Sequence, residues 1–478
     1  MARLREVQVG AQSPQALEAV IGSARTAHLH DQARQVWEAL GAREFLHVNS
    51  TAAGGGVAEM LANLLAQSRG LGIDTRWLVV GGDPAFFEVT KRLHNHLYGH
   101  PGDGGPLGDA QRETYEQTLA PNADELVSLV RPGDVVALHD PQPAGTASRL
   151  REAGAKLVWR CHIGTDAPNE WTEIGWRFLR PYLEHCDAFV FSRPNFIPDW
   201  LPQERCFIIQ PSLDPLSAKN QPLSDDVVHD ILVRAGLLSD APTGAGTMFV
   251  RRDGTRGRVD RPAELIDSGP PPPAGVPIVL QVSRWDRMKD MRGVLTAFAE
   301  HVAPDSDAHL MLVGPSVHGV SDDPEGAADL AACAEAWTSL PDKVRRQTHL
   351  VCLPLADVDE NAAVVNALQR YAMVVLQKSI AEGFGLTVAE AMWKGRPVVA
   401  TDVGGIGDQV IDGESGLLLA DASDLAACGA ATRRLIGDPP YAQRLGEAAR
   451  QRVFEHFLPD RHLDQWGDLL RALLVGQT

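Results

Sequence analysis

The residues best suited to chemistry lie in Glu382-Gly-Phe-Gly-Leu-Thr-Val-Ala-Glu390, where seven residues separate two carboxylates. Gly383 and Gly385 allow a ligand to approach the backbone. A helix opening near Leu386 or Thr387 offers free N–H groups that favour an anion such as a diphosphate. Glu382, before the helix, and Glu390, on it, can then contact two parts of one ligand, for instance a sugar and a ribose. An isolated Glu pair more often caps or salt-bridges locally, and glycines often only make a turn. The complete motif, with Phe384 and Leu386 inside it, favours binding.

A second cluster, Gln281-Val-Ser-Arg-Trp-Asp-Arg-Met-Lys289, stands at the end of an apolar run, where doubly wound sheets bind ligands. Arg284 offers a planar fork and Lys289 a point charge to a leaving diphosphate, in place of a metal. Alone, the cluster reads more readily as a solvated loop in which Arg284, Arg287 and Lys289 pair with Asp286 and Asp290, surface ion pairs being common. A third segment, Asn49-Ser-Thr-Ala-Ala-Gly-Gly-Gly-Val-Ala-Glu59, joins a strand to a helix, and such a loop can wrap phosphates. It is not G-x-G-x-x-G, and tight turns use glycine without binding anything. His139-Asp140 and His162 follow two further strand-like runs and can reach the same edge, although a lone histidine there is usually structural. No Asp-x-Asp motif stands beside a strand end, and Asp322-Asp323 lie in a loop without other ligands, so no metal site is expected and Mg2+ can stimulate without being required.

Alternating elements must hold these residues. Short apolar runs at Phe45–Val48, Thr75–Val80, Val135–Leu138, Lys156–Arg160, Ala188–Phe191 and Phe207–Ile209 predict buried parallel strands. A second series follows at Pro277–Val282, His309–Val313, His349–Leu353, Met373–Leu376 and Pro397–Ala400. The expected fold is α/β, with two Rossmann-like, doubly wound parallel-sheet domains facing each other across a cleft. The boundaries read as a first domain over 1–213, a linker and insertion over 214–276, and a second domain over 277–455. A C-terminal helix over 456–478 is expected to cross back to the first domain. The Gly- and Pro-rich tract 241–276 reads as the insertion, with a small hairpin around Asp253-Gly254.

The 478 residues exceed one ordinary core, and 44% hydrophobic with 22% charged residues suit globular domains. A net charge of −18 opposes nucleic-acid binding but permits a few cations around one small anion. Six cysteines without a C-x-x-C pair, no signal-like apolar segment and no run long enough for a membrane span predict a cytoplasmic protein.

Together these motifs resemble the GT-B glycosyltransferases, specifically the retaining family-4 group with its E-x7-E signature, which Glu382 and Glu390 match. Within that group the chain resembles the trehalose glycosyltransferring synthases. The likeness runs through His47–Thr51, Gly54–Glu59, Phe86-Phe87, His94-Asn95, His139–Pro143, Trp159–Ile163, Pro211-Ser212 and Gly383–Gly395. The resemblance implies that Arg284 and Lys289 hold the donor diphosphate, Glu390 the ribose and Glu382 the glucosyl hydroxyls. Gly55, Gly56, Gly383, Phe384, Gly385 and Leu386 would complete the donor site, with Asp140 and His162 lining the sugar pocket. Two positions depart from the family: Asp290 replaces a frequent glycine after the lysine, and Gly164 a frequent Asp after His-Ile.

The implied reaction moves glucose from an NDP-glucose (ADP, UDP or GDP form) to glucose, giving α,α-trehalose, with plausible reversibility and no tightly bound cofactor. Glu382, Arg284, Lys289 and His162 are the expected catalytic residues; the partners are a sugar and a nucleotide-sugar, and a homodimer stays open. A trehalose phosphorylase using inorganic phosphate is the nearest rival, and a non-catalytic sugar-binding protein the next. A dinucleotide-dependent oxidoreductase is opposed by the missing G-x-G-x-x-G.

Overall fold

The computed structural model describes residues 4–52, 56–317 and 324–475. Gly54 and Gly55, and the Asp322-Asp323 pair, lie outside the described residues. The chain forms two compact units, Met1–Ser212 with Phe457–Thr478, and Leu213–His456.

The first unit carries a seven-stranded sheet of β1 (Arg5–Val7), β2 (Phe45–Asn49), β3 (Thr75–Val79), β4 (Val135–His139), β5 (Lys156–Arg160), β6 (Ala188–Phe191) and β7 (Cys206–Ile208). Its order is β1-β3-β2-β4-β5-β6-β7, parallel except for β1. Residues of β2, β4 and β6 are buried throughout, which is why these strands read as continuous apolar runs rather than alternating ones. β1 escapes the sequence reading because Arg5-Glu6-Val7 is short and polar. The helix Pro14–Leu40 is interrupted at Gly22, and its buried Leu17, Ile21, Leu29 and Val36 meet the last helix, Pro459–Val475, which buries Leu463, Trp466, Leu469 and Leu470. Arg25 forks onto Asp460 at 2.6 and 2.8 Å across that contact.

In the second unit a helix, Asp225–Arg234, precedes a hairpin of β8 (Met248–Val250) and β9 (Arg256–Arg258) at the Asp253-Gly254 turn. Its sheet contains β10 (Glu264–Ser268), β11 (Ile278–Val282), β12 (His309–Pro315), β13 (Thr348–Leu353), β14 (Val374–Gln377), β15 (Val398–Thr401) and β16 (Leu417–Leu419). The order is β10-β13-β12-β11-β14-β15-β16, with β10 antiparallel at one edge. The tract 214–276, read as linker and insertion, is ordered within this unit. Arg251 is bidentate to Asp357 at 2.8 and 2.7 Å, and Asp260 and Arg261 donate their N–H groups to Glu360 at 2.6 and 2.7 Å. Pairing of β10 with β13 could not be read from the Pro- and Arg-rich sequence around it. Among the described residues no helix is long and apolar enough to cross a membrane, and all six cysteines are free thiols.

Candidate active site

In the second unit the chemistry gathers at the C-terminal ends of β11 and β14, where a reversal of strand order leaves a crevice for ligands. Beyond β11 the chain runs through Ser283 and Arg284 into a single turn, Arg287–Lys289, then into the helix Met291–His301. Beyond β14 it runs through Lys378 and Ser379 to Glu382. The fold joins the two motifs: the Lys289 ammonium lies 2.5 Å from a Glu382 carboxylate oxygen. Ser379 also donates to Glu382, at 3.4 Å. Gln377, buried at the strand end, donates to Ser283 at 3.1 Å and Ser379 at 2.9 Å, and accepts from Thr387 at 2.9 Å. Arg284 is half exposed and pairs with Asp286 at 3.2 Å.

The local ion-pair reading therefore holds only for Arg284. Asp290 turns away from Lys289 and pairs with Lys378, whose side chain is 1% exposed. Asp290 adopts left-handed backbone (φ 47°), the conformation for which glycine is suited, and its carboxylate caps the following helix by accepting from Gly293 N–H at 3.1 Å. Gln281 braces this corner, donating to the Lys289 carbonyl at 2.7 Å and accepting from Lys378 N–H at 3.2 Å. Sequence reasoning passed over Lys378, Gln377 and Ser379, and named Gln281 without a role, because a lysine and polar residues at a strand end carry no spacing signal.

Gly383, Phe384 and Gly385 are buried, and left-handed Gly385 (φ 85°) leads into the helix Leu386–Trp393. A second glycine pair underlies this loop. A Cβ on Gly404 would stand 1.7 Å from the Glu382 carbonyl oxygen, and Gly405 N–H donates to the Gly383 carbonyl at 3.0 Å. Gln409 donates to the Phe384 carbonyl. Glu390 lies deeper, almost fully buried, 3.3 Å from the Lys219 ammonium. Lys394 ties the same helix down through Asn220 and Gln369, both at 2.8 Å.

In the first unit, the loops after β4 and β5 brace each other. Asp140 has φ 64°, a strained value for a non-glycine residue and of a kind that concentrates at functional sites. Its N–H donates to the Arg160 carbonyl at 2.8 Å, its carboxylate accepts from His162 N–H at 2.7 Å, and its carbonyl accepts from the Trp159 indole at 3.0 Å. Burial pushes the Asp140 carboxyl up to about 7, against the opposing pull of the His162 N–H and the Arg160 guanidinium. Burial likewise pulls the fully buried Arg160 down to about 10; it donates to Ser192 at 3.1 Å.

His162 does not stand alone. It is 3.0 Å from His139, which is 3.0 Å from His47, nitrogen to nitrogen, and each neighbouring pair of rings is stacked. Burial holds all three well below the ordinary histidine value, His47 at about 3, so they are neutral at pH 7. His47 was quoted in sequence only as part of a motif; its role in this row needed the β2–β4 register, which sets His47 opposite Ala137. Gly164 follows on the same loop, and a Cβ there would stand 2.1 Å from the Phe196 ring, so Phe196 occupies the space a larger residue would need. Gly56 opens the helix Gly56–Gly70 after β2 and is exposed.

Residues 47–198 match the family described as trehalose synthase, N-terminal domain, and residues 353–452 match glycosyl transferases group 1. A trehalose synthase of Pyrococcus horikoshii is 33% identical over 477 residues, covering 99% of each chain. The chain belongs to the trehalose synthase family. A trehalose phosphorylase of Pleurotus pulmonarius is 26% identical over 399 residues, covering 80% of this chain and 50% of that one. Among solved structures, an α,α-trehalose-phosphate synthase (UDP-forming) of Burkholderia vietnamiensis superposes with a TM-score of 0.64 at 15% identity, covering 91% of this chain and 99% of that one. The fold is thus GT-B, and the trehalose synthase family places the protein among the glycosyltransferases.

Proposed function

We propose that the protein is a retaining, family-4 enzyme that transfers glucose from an NDP-glucose to glucose, reversibly, giving α,α-trehalose and NDP. The observation that carries this reading is the Lys289–Glu382 pair at 2.5 Å, set beside the glycine loop that opens the helix Leu386–Trp393. In this reading the bond from the glucosyl C1 to the diphosphate oxygen breaks, and Lys289 and Arg284 stabilise the charge that grows on the leaving phosphate. The acceptor hydroxyl attacks from the same face, forms the new C1–O bond and passes its proton to that phosphate. Glu382 orients the glucosyl hydroxyls. Gly56 and the N–H groups at Gly383–Leu386 accommodate phosphate, Glu390 takes the ribose, and Asp140 and His162 take the acceptor.

The test incubates the protein with glucose and ADP-, UDP- or GDP-glucose and follows products by NMR. Trehalose with α-configuration at both anomeric carbons is the expected outcome; a β-linkage would overturn retention. The match to a trehalose phosphorylase favours one rival, and cleavage of trehalose by inorganic phosphate but not by NDP would establish it instead.

Two variants test the roles. Glu390→Gln should weaken NDP binding about tenfold by calorimetry while turnover at saturating donor changes little, since a ribose contact is made equally in ground and transition states. Loss of turnover with unchanged affinity would reassign it. Gly404→Ala should displace the Glu382 backbone and lower turnover at least tenfold. Gly413→Ala, also left-handed (φ 72°) but with nothing within 4 Å of the added Cβ, controls for backbone strain of about 1–2 kcal/mol. Equal turnover in the two variants would remove the loop from the site.

A further inference from the structure

The first unit contains a cavity of about 20 Å3 lined by His47 of β2 and by residues of the helices Pro14–Leu40, Gly56–Gly70 and Pro459–Val475. Ala33, Trp466 and Leu470 form part of its apolar wall. Three of the lining residues each carry a buried polar atom without a hydrogen-bond partner among the described residues: Nε2 of the fully buried His47, Oε1 of Gln32 and Oδ1 of Asp464. The other Asp464 oxygen pairs with His28 at 3.2 Å. A buried polar atom without a partner is costly, and a cavity of this size suits one water, which needs two to four polar partners.

We propose that the cavity binds one ordered water, and that this water, with His47 and His139 as positioning residues, fixes the ring orientation and tautomer of His162. The direction follows from counting protons. Gln32 Oε1 accepts only. Burial pushes the Asp464 carboxyl up, but its His28 partner favours the ionised form, which also accepts only, so the water gives both its protons to them and accepts from His47 Nε2–H. A neutral imidazole carries one proton, so His47 Nδ1 accepts from His139 Nε2–H, and His139 Nδ1 accepts from His162 Nε2–H. All three rings are Nε2–H tautomers, and His162 is left with Nδ1 as an acceptor for a sugar hydroxyl. The role of His162 toward the sugar rests on the proposed function; the tautomer row does not.

Histidine-selective 15N labelling with two-bond 1H–15N correlation at pH 7 tests the row, with His47→Gln and His139→Gln for assignment. Protonated Nε2 and unprotonated Nδ1 are expected for His47, His139 and His162, and His139→Gln should shift the signals of both neighbours. An Nδ1–H form or tautomer averaging at any of the three overturns the proposal. In glucosyl transfer, His139→Gln should raise the KM for glucose at least fivefold with the donor KM unchanged. An unchanged glucose KM overturns the positioning role, whereas a wild-type protein that makes no trehalose from any NDP-glucose, with the row intact, overturns the proposed function alone.

Discussion

Lys289→Ala is expected to lower turnover by about 10²–10³-fold, the range found when one preorganised donor to a developing negative charge is removed. The leaving diphosphate gains charge only as the glycosidic bond breaks, so the loss should fall on kcat more than on donor KM. Lys289 also partners Glu382 at 2.5 Å, and its removal leaves that carboxylate without its cation. Lys289→Ala with Glu382→Gln separates the two effects. If Lys289 only neutralised Glu382, the double variant would be no slower than Glu382→Gln alone; that result would overturn the diphosphate role, which predicts a further large loss. Arg284→Ala is a cleaner companion. Its side chain is 53% exposed and its ion pair with Asp286 is a surface pair, so stability should change by less than about 0.5 kcal/mol. Turnover should still fall by at least tenfold, and near-normal rates in both single variants would remove the cations from the reaction.

Asp290→Asn should be among the most destabilising conservative changes in the second unit. Asn tolerates left-handed backbone and can still cap the helix at Gly293, so the substitution removes little besides charge. What remains is Lys378, an ammonium 1% exposed with its carboxylate gone, and breaking a buried pair from one side costs about 3 kcal/mol or more. For a unit of this size that lowers Tm by roughly 6–12 °C. Lys378→Met should cost less, because the Asp290 side chain is 22% exposed and keeps its hydrogen bond to Gly293. Asp290→Gly combined with Lys378→Met should recover most of the stability, since glycine accepts φ 47° without strain and methionine suits the buried site. Thermal and denaturant unfolding of the four proteins checks this; equal stability of Asp290→Asn and the wild type would show that the pair contributes nothing.

Much of the fold was legible from residues alone. Buried parallel strands must be apolar on both faces, so Lys156–Arg160 and Ala188–Phe191 were read with their observed ends, and the other parallel strands within a residue or two, apart from β16. β1 and β10 were missed because these edge strands mix polar with apolar residues and so lack that apolar run, and β16, although all leucine, was missed because three residues are too short a run to stand out. Local chemistry also fixed the glycine loop before Leu386, since a strand-to-helix turn needs left-handed backbone at Gly385. Which charges meet could not be read this way. Sequence proximity favoured Lys289 with Asp290, separated by one peptide bond, yet the turn at Asp290 sends its carboxylate to Lys378, 88 positions on, and leaves Lys289 for Glu382, 93 positions on. The same holds for His47 within β2, His139 at the end of β4 and His162 just beyond β5, which form a row only because parallel pairing in register sets β2, β4 and β5 side by side. Backbone conformation is dictated over a few residues and is therefore written in the local sequence, whereas ion pairs and ring contacts depend on which strands become neighbours, and only the tertiary structure decides that.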